Sequence, residues 1–313
     1  MPGTPPTHFT YLGPEGTFTE AALRTISAAE HGVRTPARSV PEALEAVRAG
    51  DADAALVPLE NSVGGAVPVT LDELITGSPL MITREVLLPV EFMLAARTPA
   101  PLASIRSIAA HPQASAQCRH WLQANVPDAV VVDVLSNAAA AISAAAGEYD
   151  AALCAPIGVG RNNLAVLAEK VADRAEAVTR FALLTRPGPP TAPTGDDVTS
   201  LAVSIRHDQV GALLAVLTEL AVRGVNLSRI ESRPTGEQLG TYVFFLDCTG
   251  HVAEARVGEA LQGLRRICAE VRFLGSYPRH RLQPESPVAA PPGLSDGDFA
   301  DSAAWLAGLR AGS

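Results

Sequence analysis

Charged residues are scarce in this sequence, and no stretch of it is strongly basic. Lysine and arginine total 24 against 33 aspartates and glutamates, which leaves a formal net charge of −9. Nucleic-acid binding depends on clustered positive charge, and the only weak cluster is Arg279-His280-Arg281, so we predict no nucleic-acid partner. The most apolar run, residues 137–147, is too short to cross a bilayer, and we predict no membrane partner either.

Cysteines are few, and their spacing does not suggest a metal site. The four thiols, at Cys118, Cys154, Cys248 and Cys268, show no CxxC or Cys/His ligand pattern. This distribution is typical of buried thiols in a reducing compartment. Residues 1–6 also lack the charged and apolar regions of a signal peptide. We therefore expect a cytoplasmic protein without a metal centre.

The most informative stretch that is present follows a short apolar strand at residues 53–57. Pro58 should end that strand, and Glu60, Asn61 and Ser62 then stand at its carboxyl end, where open α/β sheets bind ligands. An acid, an amide and a hydroxyl together can donate, accept and shuttle a proton. A polar loop with two permissive glycines, at 64 and 65, explains the same residues equally well.

Two turns lead into predicted helices and could seat an anion. Gly13-Pro14-Glu15-Gly16 precedes a capping-box pattern that begins at Thr17, and His111-Pro112 stands at the matching place before a helix that contains Ser115. A helix N-terminus offers unpaired N–H groups and the positive end of a dipole. A well-capped helix without any ligand gives the same pattern.

A helix–strand unit occurs twice in the sequence. Residues 39–56 and 136–153, at an offset of 97 (136 − 39), share eight identities, including the serine before each helix and the glycine after it. Two such units predict two lobes around a cleft, with strand ends and helix N-termini directed into it. A cleft of this kind suits a small ligand with two negative groups.

A second domain follows a proline-rich stretch at residues 186–195, which has the composition of a linker. Between residues 200 and 276 the pattern runs strand, helix, strand, strand, helix, strand, the order of the ferredoxin-like split unit. The remaining tail is proline-rich, with a short helix expected around Trp305 and no function that the residues indicate.

Taken together, these motifs resemble the prephenate dehydratase family over residues 9–279. The first half carries Gly13-Pro14-Glu15-Gly16-Thr17-Phe18, Pro58-Leu59-Glu60-Asn61-Ser62, His111-Pro112-Gln113-Ala114 and Thr179-Arg180-Phe181. The second half resembles an ACT regulatory domain through Gly211-Ala212-Leu213-Leu214, Asn226-Leu227 and Glu231-Ser232-Arg233-Pro234. Two positions depart from the family pattern: Ala177 stands where the family usually has asparagine, and Val210 where it tends to have proline.

The resemblance implies an α/β fold with two parts. The first is a two-lobed catalytic domain of the periplasmic-binding-protein-like type (type II) at residues 1–185, with one lobe at about 8–80 plus 177–185 and the other at 81–176. The second is a ferredoxin-like βαββαβ ACT domain at 199–278. A linker at 186–198 and a tail at 279–313 complete the expected organisation.

The resemblance also implies an activity, the conversion of prephenate to phenylpyruvate, carbon dioxide and water in phenylalanine biosynthesis. This is a carbon–oxygen lyase reaction that needs no cofactor. Thr179 matches the family's catalytic threonine and would act on the departing hydroxyl, with Glu60, Asn61 and Ser62 orienting the substrate. The residues expected to bind the substrate are Arg180, Thr17, Ser115, Phe181 and His111.

Regulation is implied as well, through feedback by L-phenylalanine in a homodimer or homotetramer. The residues expected to bind the effector are Gly211, Ala212, Leu213, Leu214, Asn226, Glu231 and Ser232. Two alternatives remain at this stage. An arogenate dehydratase would act on the same skeleton with an amino group in place of the keto group, and a non-catalytic amino-acid sensor would share the two-part architecture.

Overall fold

The computed structural model describes residues 7–174, 176–205, 210–235, 242–283 and 290–312. Residues 1–6, in which the sequence shows no signal-peptide pattern, lie outside these ranges. The sequence also predicts a strand that ends at Arg206 and another that begins at Thr241, and both of these residues lie outside the ranges. The chain divides into two compact units, one containing residues up to 70 together with 86–183, and the other containing 71–85 together with the residues from 184 onward. The first unit holds two lobes, each built on its own sheet.

The first lobe is an α/β layer formed by the beginning of the chain and a late returning strand. Its elements are β1 (His8–Leu12), α1 (Phe18–Arg24), α2 (Ser27–Glu30), β2 (Val33–Ala37), α3 (Val40–Ala49), β3 (Ala54–Asn61), β4 (Gly65–Ala66), α4 (Pro68–Ile75), β5 (Met81–Pro89) and, after the second lobe, β11 (Val178–Thr185). Among the described residues the sheet order is β2-β1-β3-β11-β5, with β4 paired to β3. Phe9, Tyr11, Leu56 and Phe181 lie in its core.

The second lobe is inserted between β5 and β11. Its elements are β6 (Met93–Ala96), β7 (Ser107–Ala110), α5 (Pro112–Gln117), α6 (Arg119–Asn125), β8 (Val130–Asp133), α7 (Asn137–Ala146), β9 (Ala151–Cys154), α8 (Pro156–Arg161) and β10 (Ala165–Ala168), with a short 3₁₀ turn at Leu102–Ser104. The described strands follow the order β10-β6-β9-β7-β8. One side of this sheet packs against an alanine-rich cluster that includes Ala140, Ala141 and Ala144.

The repeated unit predicted from the sequence is present in both lobes. The hydroxyls of Ser39 and Ser136 each accept a hydrogen bond from the backbone N–H three residues later, which starts α3 and α7. Gly50 and Gly147 end these helices in the left-handed conformation, with φ of 89° and 80°. The prediction of matching helix lengths and stops is confirmed.

Two details of the expected lobe organisation change. The sequence placed residue 81 at the start of the second lobe, but β5 pairs within the first sheet, so the chain crosses between Pro89 and Met93. Sequence alone could not place this strand, because a strand's sheet is decided by its tertiary partners. The sequence pattern of residues 164–170 is compatible with either a helix or a strand, and in the structure Ala165–Ala168 form β10.

The second unit contains the predicted split unit. Its elements are β12 (Asp197–Ile205), α9 (Ala212–Ala221), β13 (Leu227–Pro234), β14 (Tyr242–Thr249), α10 (Ala255–Ile267), β15 (Cys268–Pro278) and α11 (Asp296–Ala311). The described strands form an antiparallel sheet in the order β13-β14-β12-β15. The ferredoxin-like βαββαβ arrangement is therefore confirmed, and the expected short helix in the tail is a longer one of 16 residues.

The proline-rich linker is fixed to this unit by hydrogen bonds. Thr191 donates its hydroxyl proton to the Ser276 carbonyl, and its own carbonyl lies 2.8 Å from Nε2 of the buried His251. Residues 71–85 also belong to this unit: both guanidinium nitrogens of Arg233 that face Asp72 bind its carboxylate at 2.9–3.1 Å. Part of the predicted catalytic domain therefore packs with the sheet of the second unit.

Several further properties concern the described residues as a whole. None of their helices is both long and apolar enough to span a membrane. They contain no group of three or more His, Cys, Asp or Glu side chains that could hold a metal ion. The four cysteines are buried free thiols, and burial raises the pKa of Cys118, Cys154 and Cys248 to about 12, which makes them poor nucleophiles.

Candidate active site

Asn61 and Thr179 meet at the carboxyl end of β3, although 118 positions separate them in the sequence. The Asn61 side-chain oxygen accepts hydrogen bonds from the N–H groups of Val63 and Gly64, both at 2.9 Å. Because this fixes the oxygen, the amide nitrogen must face Thr179, and it donates to the threonine Oγ1 at 2.8 Å. Among the described residues the hydroxyl receives this one hydrogen bond, so its own proton can be donated to a ligand.

Ser62 holds this pair in place rather than contacting it. Its N–H donates to the Val178 carbonyl and its hydroxyl oxygen accepts from the Val178 N–H, both at 2.9 Å. These two hydrogen bonds join the turn after β3 to the start of β11. They fix the register between the two strands and so bring Thr179 beside Asn61. The structure therefore supports a positional role for Ser62, where the sequence suggested a direct one.

Arg180 and Glu60 lie beside the same strand ends. The guanidinium Nη1 of Arg180 is 3.8 Å from the Glu60 carboxylate, and the two side chains are 13% and 36% exposed. The sequence prediction made Arg180 the cation for a substrate carboxylate. A competing carboxylate now stands next to it, so an incoming anion would have to share or replace Glu60 as its partner.

A cavity of about 470 Å³ lies against the turn that follows β3 and has walls from both lobes. Its lining residues are Val63, Gly64, Gln113, Ala116, Gln117, His120, Asp173 and Arg174. The cavity is one hydrogen bond away from Asn61, because Val63 and Gly64 supply the N–H groups that fix the asparagine. Its size is within the range of pockets that hold small organic ligands.

Gln117 is the residue in this cavity that most directly indicates a ligand. Within the described chain its side-chain oxygen Oε1 is buried and has no hydrogen-bond partner. A buried acceptor without a partner is costly, and in native proteins such a group is explained by a catalytic role, by strain, or by a bound water or ion. Sequence reasoning missed Gln117, although it lies four residues after Gln113 of the recognised motif and hence on the same helix face.

Other predicted binding residues serve the protein's own backbone. His111 caps α5 by accepting the Gln113 N–H at 3.2 Å through Nδ1, and Ser115 lies inside that helix, donating to the Pro112 carbonyl at 2.9 Å. The sequence also suggested that the helix start at Ser115 supplies N–H donors to a ligand. Ser115 lies in the first turn of α5, and its N–H donates to the His111 carbonyl at 3.1 Å. Phe181 is 2% exposed in the core of the first lobe, where it anchors β11.

Thr17 caps α1 as the sequence predicted, but the turn before it is not an open anion site. Its hydroxyl accepts the Glu20 N–H at 3.4 Å and donates to the Leu12 carbonyl at 3.3 Å. The carboxylate of Glu20 accepts the Gly16 N–H at 2.6 Å. The chain's own anion thus occupies the place that the glycine-bounded turn was expected to offer to a ligand.

The predicted effector residues fall at two ends of one helix and on an edge strand. Gly211 precedes α9 with φ of +84°, a conformation that glycine adopts without strain, and Ala212, Leu213 and Leu214 form its first turn. Glu231 and Ser232 lie on β13. Asn226 follows the other end of α9, and a ten-residue helix spans about 15 Å. Asn226 and Gly211 of one chain therefore do not share a small binding site.

Comparison with known proteins agrees with this geometry. Residues 9–189 match the family model described as prephenate dehydratase, and residues 199–266 match that of the ACT domain. A prephenate dehydratase of Amycolatopsis methanolica is 49% identical over 96% of this chain and 97% of its own length. One from Mycolicibacterium vanbaalenii is 48% identical over 100% and 99%. A prephenate dehydratase structure from Arthrobacter aurescens, in complex with L-Phe, is similar with a TM-score of 0.90 and 47% identity, over 96% of this chain and 99% of that one.

Proposed function

This chain belongs to the prephenate dehydratase family, and we propose that it converts prephenate to phenylpyruvate, carbon dioxide and water as a carbon–oxygen lyase. The hydrogen bond from Asn61 to Thr179 is the structural observation that carries the proposal. Neither alternative from the sequence is favoured, because the relatives that cover nearly the whole chain are named for prephenate and for a catalytic activity.

The reaction needs a proton at one oxygen. As the bond from the ring to its carboxylate breaks, that electron pair enters the ring, and the bond to the ring hydroxyl breaks with its pair leaving on oxygen. The departing hydroxide must gain one proton to become water. Thr179 can supply a hydrogen bond or a proton there, because its oxygen already accepts from Asn61, which stabilises negative charge on that oxygen. The proton is restored from solvent.

The second lobe supplies the opposite wall of the site. We propose that the unpartnered Gln117 oxygen accepts a hydrogen bond from the substrate's ring hydroxyl and holds it in line with Thr179. Arg180 remains our choice for a substrate carboxylate, with Arg174 at the cavity rim adding positive charge. Such local charge is needed because a net charge of −9 repels a dianion at longer range.

A direct assay tests this function. Purified full-length protein is incubated with prephenate, and phenylpyruvate formation is followed by absorbance, with arogenate in a parallel reaction. We expect turnover of prephenate and little turnover of arogenate. Preference for arogenate would make the chain an arogenate dehydratase, and turnover of neither would favour the sensor.

We further propose that L-phenylalanine regulates the enzyme through the ACT domain. Support comes from the family match at residues 199–266 and from the similar structure that was solved with L-Phe. The N–H groups at the start of α9 suit a carboxylate, and Glu231 suits an ammonium group. Since Asn226 lies beyond the far end of α9, we assign it no direct contact with an effector bound at Gly211 of the same chain.

Residues 71–85 offer a route from the effector site to catalysis. Asn61 pairs with Gly65 across the β3–β4 turn, and α4 begins three residues later. Asp72 of α4 is held by Arg233, the residue after the proposed effector residues Glu231 and Ser232. We propose that effector binding at β13 shifts this ion pair and, through α4, the loop that orients Asn61.

Titration with L-phenylalanine at fixed prephenate tests the regulatory proposal. Gly211→Val and Glu231→Ala should lose inhibition, while Asp72→Asn should still bind L-phenylalanine by calorimetry yet respond weakly. Wild-type sensitivity in both Gly211→Val and Glu231→Ala would place the effector site elsewhere.

We also propose a homodimer or homotetramer in the cytoplasm. β13 is an edge strand in the described sheet, and Ile230 and Tyr242 near this edge are 44% and 48% exposed. An exposed edge with apolar side chains is commonly covered by a second copy. The buried free thiols suit a reducing compartment. Light scattering at micromolar concentration tests the assembly, and a monomer would contradict it.

A further inference from the structure

Arg161 joins the two lobes through a carboxylate that is almost completely buried. It lies at the end of α8 in the second lobe, and its Nη2 is 2.6 Å from Glu20 of α1 in the first lobe. Its Nη1 is 2.6 Å from Glu15 in the turn before α1. The Glu20 side chain is 2% exposed, whereas Glu15 is 55% exposed. Loss of the Arg161–Glu20 pair would therefore leave the Glu20 carboxylate with neither this partner nor solvent, whereas Glu15 would remain hydrated.

The two lobes pack closely around this ion pair. Gly16 has φ of +87°, and a Cβ there would lie 3.6 Å from the Gly158 backbone of α8 and from the Ala138 side chain of α7. A Cβ on Gly158 would in turn lie 3.4 Å from the Gly16 carbonyl oxygen. The backbones of the two lobes thus meet directly at the place where Arg161 reaches across.

Glu20 stays ionised here because several donors surround it. Burial alone would raise its pKa, but the Gly16 N–H, Arg161 and Arg24 together lower it below its usual value. The neighbouring Tyr11 hydroxyl has its pKa raised to about 12 by burial and by the charges of Glu20 and Glu15. The groups facing the carboxylate are therefore two cations, one neutral phenol and one more distant anion.

We infer that Arg161 is a positioning residue, which sets the separation of the two lobes across the site through its ion pair with Glu20. This rests on the proposed function, because the substrate must bridge Thr179 on the first lobe and Gln117 on the second. A change of lobe separation alters the fit of the bound substrate without removing any group that touches it. Phe18, which packs edge-on against Phe92 with ring centroids 5.4 Å apart, links the lobes independently.

The test compares Arg161→Met with Arg38→Met, which removes the exposed surface pair to Glu42 within the first lobe. We expect Arg161→Met to raise KM for prephenate about 10-fold with a smaller change in kcat. Removing Arg161 also raises the pKa of Glu20, so the acid limb of kcat/KM should move to higher pH. Arg161→Lys should recover part of the loss, and Arg38→Met should behave as wild type.

A second readout does not depend on turnover. Hydrogen exchange at residues 13–20, which include the Gly16 N–H bonded to Glu20, should be faster in Arg161→Met than in wild type. Wild-type KM, pH profile and exchange in a folded Arg161→Met would overturn the inference. If that variant does not fold, Arg161→Gln is measured in the same two ways. If wild type fails to turn over prephenate, the proposed function fails, and hydrogen exchange still tests the link between the lobes.

Discussion

The first and second lobes each contain a helix–strand unit, α3–β3 and α7–β9, and the two units share the residues that fix their ends. Each helix starts at a serine and ends at a glycine, and each following turn carries an aspartate that binds a neighbouring strand. Asp53 accepts the N–H groups of Thr7 and His8, and Asp150 accepts those of Arg106 and Ser107, all at 2.8–2.9 Å. The two lobes therefore share their framework down to single hydrogen bonds.

They differ at the carboxyl ends of those strands. β3 continues into Glu60, Asn61 and Ser62, which are clasped to β11 and hold Thr179. β9 instead leads directly into α8, which carries Arg161. The comparison teaches that the repeat supplies two similar walls of a cleft. In the function we propose, the proton donor Thr179 comes from one wall, and Arg161 on the other wall sets the fit between them.

The largest effect is expected when the Asn61 amide, which donates to the Thr179 hydroxyl, is removed. Asn61→Ala should lower kcat by about 10²-fold or more, as expected when a donor that stabilises developing charge is lost. Asn61→Asp is the sharper variant, because its carboxylate can still accept from Val63 and Gly64 but cannot donate to Thr179. Steady-state assays with prephenate measure both.

Asn125→Ala provides the matched control in the second lobe, since that exposed side chain donates to the Trp121 carbonyl of its own helix. It should leave kcat unchanged. Near-normal turnover in Asn61→Asp would show that the loop's shape, and not the hydrogen bond to Thr179, is what catalysis requires.

A smaller effect tests whether the two frameworks are equivalent. Asp53→Ala and Asp150→Ala should each lower the free energy of unfolding by about 1 kcal/mol, because each removes an acceptor for two backbone N–H groups. The hydrogen bonds from Arg106 and Ser107 outweigh the effect of burial and hold the pKa of Asp150 below its usual range. This contribution is therefore present above the unfolded pKa and lost as the pH falls through the lower, folded one.

Thermal unfolding of both variants between neutral and acid pH measures this contribution. The loss should be similar in the two lobes and should shrink in acid for Asp150→Ala. A large loss in one lobe alone would mean that the repeated aspartates have different structural roles.

The elements that sequence predicted well are those fixed by local contacts. Ser39 and Gly50 fix the start and the end of α3 through hydrogen bonds to residues close by in the sequence. The same residue types at 136 and 147 therefore predicted α7. By contrast, the prediction that Pro58 ends the apolar strand is wrong: β3 runs through Pro58 to Asn61, so Glu60 and Asn61 belong to the strand and Ser62 to the turn after it.

The features that sequence missed depend on where a side chain points in the folded chain. The residues next to Phe181 in the sequence do not show whether its ring lies in the core or in a binding site. Whether the Gln117 oxygen has a partner is decided only when α5 packs against the rest of the lobe. The pairing of Arg233 with Asp72 spans 161 positions, so the transfer of residues 71–85 to the regulatory unit had no sequence signal. Glu20 was interpreted as a cap, although it is also the carboxylate that Arg161 binds.

The most direct test of the central claim is the kcat of Thr179→Ala beside that of Thr179→Ser, with prephenate as substrate. If the Thr179 hydroxyl assists departure of the ring hydroxyl, alanine should lower kcat by about 10²–10⁴-fold, far more than it changes KM. Serine retains the hydroxyl and should keep much of the activity. A Thr179→Ala enzyme with near-normal kcat would contradict the account.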